Sequence, residues 1–234
     1  MRRLPFAVAV LVGMSCGAAV AAPFNIDDFT TGQGPLNATS GSPVSSEVAG
    51  GGILGGARDM LVQSDGLNTT TGFVTSGELE YSNEINTTGT VSLFYDGAGT
   101  PGAGIGGVDI TDDGANDRFV LGILASLGVM DLSITVSDTS ANTATVTETV
   151  SGVINPPGVT PITLEFAGLT GDLVNLAQVD SLLVVFDTDQ QATEATLQFI
   201  GTEAAVIPLP APAFLLLTGM AGLAYIGRKR RAIG

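Results

Sequence analysis

The chain has no histidine and no tryptophan, one cysteine, three tyrosines and only eight lysines and arginines among 234 residues. Each scarcity removes a chemistry. Without histidine there is no Ser-His-Asp or Cys-His catalytic arrangement and no imidazole metal ligand. The single cysteine, Cys16, lies near the N-terminus. There it reads as a small apolar residue, because Gly13-Met14-Ser15 is a poor lipobox. Disulfides and thiolate metal sites are therefore absent from everything downstream. Cations are confined to the two ends: Arg2, Arg3, Arg228, Lys229, Arg230 and Arg231. Between residues 22 and 207 only Arg58 and Arg118 stand against all 23 acids, so this stretch is more acidic than the net −15 of the whole chain. Such a field repels nucleic acid and anionic lipid and attracts cations. Catalysis would have to rest on carboxylates, as in glycosidases. The missing catalytic groups make a non-enzymatic protein the expectation.

What is present begins with the two ends. Met1-Arg2-Arg3, the apolar stretch Leu4–Val12 and Ala19-Val20-Ala21 form a signal peptide over residues 1–21. Cleavage is expected after Ala21, because cleavage after Ala22 would place Pro23 directly behind the scissile bond. The C-terminus carries Ile207-Pro208-Leu209-Pro210-Ala211, an apolar helix expected over 213–227, and the cluster Arg228–Arg231. The prolines hold the chain extended, the apolar run can enter a bilayer, and the cations stay on the cytoplasmic side. The helix core, Phe214 to Gly227, spans about 21 Å at 1.5 Å per residue. A bilayer core takes about 20 residues. A span this short suits a temporary handle better than a permanent anchor.

The middle, residues 22–205, is expected to be one all-β domain. Leu132, Ile134 and Val136 alternate with Ser133, Thr135 and Ser137. Ala144, Val146 and Val150 alternate with threonines, and Ile162, Leu164 and Phe166 with polar residues. A period of two marks half-buried strands. The unbroken apolar run Leu182–Phe186 reads as a central strand. Further strands are expected at Phe24–Phe29, Arg58–Val62, Gly72–Ser76, Val91–Tyr95, Arg118–Leu124 and Thr193–Ile200. Gly- and Asp-rich turns separate them. About ten strands at this spacing predict an antiparallel β-sandwich of the jelly-roll kind. Residues 32–56 are rich in Gly, Ser and Thr and read as a long loop, and a short helix is expected near Leu173–Gln178.

Asp109, Asp112, Asp113 and Asp117, with Asn116, crowd one glycine turn. Two readings stand: a solvated hairpin turn, and a structural Ca²⁺ site built from carboxylates and carbonyls. The turn is not an EF-hand loop, since Val120 stands where the bidentate Glu belongs. Tyr81 and Tyr95 are the only tyrosines of the domain and the expected stacking platform if it binds sugar. Arg58 and Arg118 are expected in ion pairs with carboxylates such as Asp59 and Asp117.

The tail resembles the VPLPA variant of the PEP-CTERM sorting signals of exported bacterial proteins, with Ile207 in place of the usual valine. The resemblance implies export by the Sec translocon, cleavage by signal peptidase, and insertion in the inner membrane. It further implies removal of the tail by an exosortase and release to the cell surface or exopolysaccharide matrix. The middle resembles jelly-roll domains similar to carbohydrate-binding modules at Ile26-Asp27-Asp28-Phe29, Gly55–Asp59, Leu93–Gly97 and Gly107–Thr111. That resemblance implies a structural Ca²⁺ between early and late strands, with Asp27 or Asp28 facing Asp187 or Asp189. The leading expectation is a non-enzymatic envelope or matrix protein. The alternative is a Ca²⁺-stabilised carbohydrate-binding module acting on exopolysaccharide.

Overall fold

The computed structural model describes residues 23–99, 102–151, 158–188 and 192–205. The signal peptide with Ala21 and Ala22, the sorting motif Ile207–Ala211, the apolar helix 213–227, the basic cluster and Asp189 lie outside the described residues.

Fourteen strands occur among the described residues: β1 (Phe24–Asp27), β2 (Gln33–Ala38), β3 (Val44–Ala49), β4 (Ala57–Gly66), β5 (Thr70–Thr75), β6 (Glu78–Asn83), β7 (Thr87–Tyr95), β8 (Arg118–Leu127), β9 (Val129–Asp138), β10 (Thr143–Ser151), β11 (Thr160–Glu165), β12 (Thr170–Gly171), β13 (Val179–Thr188) and β14 (Glu194–Glu203). They form two seven-stranded sheets. One runs β11-β8-β14-β6-β5-β2, with β1 also paired to β14; the other runs β12-β10-β9-β13-β7-β4-β3. Every named pairing is antiparallel. The chain crosses repeatedly between the sheets, giving an all-β antiparallel sandwich.

Period-two alternation places one face of most strands inside. Leu132, Ile134 and Val136 of β9, Val91, Leu93 and Tyr95 of β7, and Leu182, Val184 and Phe186 of β13 are fully buried. They meet Phe119, Leu121, Ile123, Leu197 and Ile200 from the other sheet in one core. Burial of this apolar surface is the main favourable term in folding. Phe119 and Phe166 pack edge to face, with centroids 4.8 Å apart and planes at 71°.

Two sequence expectations are corrected here. Residues 32–56 are not a long loop, because they contain β2 and β3. Both strands lie at the edge of a sheet. An edge strand has one neighbour, so it is held with fewer large apolar residues, and Ser, Glu and Ala suffice. Leu173–Gln178 forms turns and no helix. Its backbone is used otherwise: Ile110 N–H donates to Leu176 O, and Thr139 N–H to Gln178 O.

The sandwich has two dissimilar ends. Phe24 pairs with Thr202 and Glu203 with Arg118, so both termini of the described domain emerge at one end. The opposite end exposes Leu67 and Ile85 on neighbouring turns.

Candidate functional site: a groove on the outer sheet face

Strands β3, β4, β7 and β13 lie side by side, and their register builds a surface from residues far apart in sequence. Glu47 pairs with Asp59, Asp59 with Phe94, and Phe94 with Leu183. The next lateral row is Ser45, Leu61, Ser92 and Val185. The inward neighbours of these residues, Met60, Leu93 and Leu182, are buried. Parity therefore turns both rows outward. A groove of about 690 Å³ lies over them, lined by Ser45, Glu47, Asp59, Leu61, Ser92, Phe94, Asp96 and Leu183 among others. Phe94, Leu61 and Leu183 are half-buried. They form an apolar strip between hydroxyls and carboxylates.

The run Leu182–Phe186 was expected to be a central strand, and β13 is the fourth strand of its sheet. The reason for its unbroken apolarity is specific. Leu182, Val184 and Phe186 enter the core, while Leu183 and Val185 pave the outer face.

Beyond β13 the outer face becomes a field of hydroxyls. Thr135 pairs with both Leu183 and Thr145, and the two threonine hydroxyls are 2.8 Å apart. Thr149 Oγ1 donates to Asp131 Oδ1 at 2.6 Å. The apolar strip thus has acids on one side and hydroxyls on the other, with the paired acids Asp131 and Asp187 also on this face.

Asp96 closes one end of the groove, just past β7. Its side chain is 7% exposed. Oδ2 accepts Gly102 N–H at 2.8 Å, and the backbone carbonyl accepts Gly104 N–H at 2.7 Å. A Cβ at residue 102 would collide with Asp96, so glycine is what allows this close approach. Oδ1 is buried and has no hydrogen-bond partner. Glu47 Oε2 accepts Gly99 N–H at 3.0 Å, tying β3 to the same loop.

The residues singled out from the sequence sit elsewhere. Tyr81 is 2% exposed and Tyr95 is fully buried. Tyr81 donates to Gly89 O at 2.7 Å, and Tyr95 to Asp27 Oδ2 at 3.0 Å. Burial pushes the Tyr95 hydroxyl well above its ordinary pKa and raises that of Tyr81 as well. Neither ring offers a face to a ligand, which corrects the expected stacking platform. Phe94, one residue before Tyr95 and of opposite parity, is the aromatic of β7 that faces outward. The signal that finds it is the alternation Val91, Leu93, Tyr95, which assigns the tyrosine to the core.

Asp27 is also inside. Arg58, fully buried, donates Nη1 to Asp27 Oδ2 at 2.7 Å, Nε to Gln33 Oε1 at 2.8 Å and Nη2 to Thr31 O at 2.8 Å. Phe29 N–H donates to Asp27 Oδ1 at 2.9 Å, and the guanidinium lies 5.6 Å from the centre of the Phe29 ring. Burial pushes the Asp27 carboxyl above its ordinary value, against the lowering pull of Arg58. Asp187 is exposed on the outer face of β13. The expected Asp27–Asp187 metal pair is therefore not assembled. Arg58 does form the expected ion pair, but with Asp27 instead of Asp59, whose side chain points to the other face.

The acidic turn is internally bonded. Asp109 Oδ1 accepts the N–H and hydroxyl of Thr111, and Oδ2 accepts Asp113 N–H. The Thr111 hydroxyl bond, with its backbone bond, holds Asp109 below the usual carboxylate range. Asp117 binds Arg118 at 2.8 Å and accepts Ala205 N–H at 3.0 Å. Asp112 and Asp113 have positive φ, as turn residues do. Among the described residues no group of three acids is placed to hold a metal ion.

No protein-family model matches the chain, and no curated protein matches it. Among solved structures it is similar to PfGH50B, at 11% identity and a TM-score of 0.41 over 64% of this chain. The chain spans 23% of the length of that protein. It is also similar to the family 11 carbohydrate-binding module of the cellulosomal cellulase Lic26A-Cel5E of Clostridium thermocellum, at 12% identity and a TM-score of 0.38, covering 80% of this chain and 98% of that one. A family 29 carbohydrate-binding module matches at 13% identity and a TM-score of 0.36, over 69% and 85% of the two chains. Likenesses this distant assign neither a ligand nor a reaction.

Proposed function

We propose that this protein is an exported, non-catalytic glycan-binding protein whose ligand lies in the groove over β3, β4, β7 and β13. The carrying observation is the lateral row Glu47–Asp59–Phe94–Leu183 beside Ser45–Leu61–Ser92. A sugar ring has apolar C–H faces and a polar rim. It suits an apolar strip flanked by carboxylates and hydroxyls. The hydroxyl field of β9 and β10 extends the surface, which favours an extended chain over a single sugar. Two groove carboxylates are fixed by backbone N–H groups of one loop, at Gly99 and Gly102, which supports pre-organised binding.

A glycan array probed with wild-type protein and with Phe94→Ala tests this reading. Wild type is expected to retain a defined set of polysaccharides that the variant loses. A blank array with folded wild type, in the presence and absence of Ca²⁺, overturns it.

Delivery is the second half of the proposal. The chain enters the Sec pathway by its signal peptide and is held in the inner membrane by the apolar tail. An exosortase then releases it near Ile207–Ala211 to the cell surface or exopolysaccharide. The tripartite tail supports this. Mass spectrometry of the mature protein decides: an intact C-terminus at Gly234 would refute processing.

A further inference from the structure

We propose that the ligand is a single extended polysaccharide chain lying across the strands, so that the site continues from the groove onto Thr135, Thr145 and Thr147 and selects chains by length and straightness; this rests on the glycan-binding reading. The observation is one unbroken register that joins two concavities on the same sheet face. The first is the groove over β3, β4, β7 and β13. The second, of about 580 Å³, lies over Thr147, Thr149 and Asp131 on β9 and β10. From Phe94 one row runs to Leu183, then to Thr135, Thr145 and Thr170. The neighbouring row runs from Ser92 to Val185, Ser133 and Thr147. Directly paired residues share a face, so both rows cross the sheet on its outer side. Thr147 and Thr170 are exposed, and Thr135 and Thr145 are half-buried.

Spacing sets the direction. Neighbouring strands lie about 4.8 Å apart, whereas like-facing residues along one strand lie about 6.8 Å apart. The advance per ring in an extended, equatorially linked chain is close to the first distance and well short of the second. Successive rings therefore keep step with successive strands only if the chain crosses them. The side-chain chemistry agrees. Along β10 the outward residues Thr143, Thr145, Thr147 and Thr149 offer hydroxyls alone. A crossing chain meets Phe94 and Leu183 with its ring faces and then a run of hydroxyls with its polar rim. Those hydroxyls are held in place. The Thr135 and Thr145 hydroxyls lie 2.8 Å apart, and Thr170 Oγ1 donates to Thr145 O at 3.1 Å. The Thr135–Thr145 bond uses one of the pair's two hydroxyl hydrogens and leaves the other for a sugar oxygen. Sheet twist adds a limit. Adjacent strands turn by roughly 20–25°, so the track winds along its length. A dissolved chain can follow it, and the flat face of a crystalline polysaccharide cannot.

Calorimetric titration of the full-length protein with β-1,4-linked oligomers of glucose, mannose and N-acetylglucosamine, each from dimer to hexamer, tests the track. In a series that binds, affinity is expected to rise roughly tenfold from trimer to hexamer, as one or two added hydrogen bonds give. Thr145→Val removes one hydroxyl and keeps a β-branched side chain. It lowers affinity for the hexamer and leaves that for the trimer unchanged, whereas Phe94→Ala lowers both. Microcrystalline cellulose and chitin powders retain none of the protein. If the Thr145→Val variant misfolds, the wild-type length series carries the test. Equal affinity for trimer and hexamer, an equal effect of Thr145→Val on both, or retention by the crystalline powders overturns the track and leaves the groove reading standing. A glycan array that is positive while none of the three series binds does the same. A blank array overturns both.

Discussion

Strands β4, β7 and β13 present two faces made of adjacent residues with opposite fates. On the inner face Arg58 of β4 and Tyr95 of β7 close a network with Asp27 of β1, in which the guanidinium, the phenol and both carboxylate oxygens are bonded. On the outer face Asp59, Phe94 and Asp96 border an open groove, and one Asp96 oxygen is unbonded. The two faces thus differ in how completely their buried carboxylates are bonded. Burying a charge is costly unless it is paired and hydrogen-bonded. Asp27 meets that condition at both oxygens, and Asp96 at only one.

The largest way to break the comparison is Arg58→Met. It leaves Asp27 buried without its counter-charge and should cost about 3–5 kcal/mol. Thermal unfolding should fall by on the order of 10 °C, and a drop of only a degree or two would show that the network is not structural. Tyr95→Phe removes one donor from the same carboxylate. It should cost about 1–2 kcal/mol in denaturant unfolding, with glycan affinity unchanged. Outer-face Phe94→Ala reverses the pattern. Stability should change by about 1 kcal/mol or less, while glycan affinity falls roughly tenfold, as for loss of an aromatic anchor. Equal loss of stability and affinity would erase the distinction between the faces.

The smallest effect lies at a third place, outside both faces. Asp138 accepts the Asn142 side-chain amide and backbone N–H groups of Ser140, Asn142 and Asn175, which lower its pKa to about 2 from 3.8. A depressed carboxylate contributes stability that is complete above its unfolded value and is lost as pH falls toward the folded one. A modest decline in melting temperature is therefore expected between pH 3.8 and about 2. Asp138→Asn should flatten the part of that decline that belongs to this residue.

Much of the fold was legible. Alternation in Leu132–Val136 and Ala144–Val150 placed those strands and their buried faces, because strand parity is a local property. The edge strands β2 and β3 were not legible, since one neighbour and few large apolar residues leave little periodic signal. The site was legible only in part. Parity in Val91–Tyr95 assigns Tyr95 inward and Phe94 outward, yet residue type drew attention to the tyrosines. An ion pair for Arg58 was legible but its partner was not: adjacent Asp59 points to the opposite face, and Asp27 is 31 residues away.

The sequence by itself determined an acidic, histidine-free β domain between two cationic ends, and which side of most strands is apolar. Composition and period two are readable one strand at a time. Only the tertiary structure decided that Glu47, Asp59, Phe94 and Leu183 form one row, and that Asp27 meets Arg58. Lateral register and sheet-to-sheet packing are set by the whole core at once, and no local pattern in these strands records which neighbours they will have.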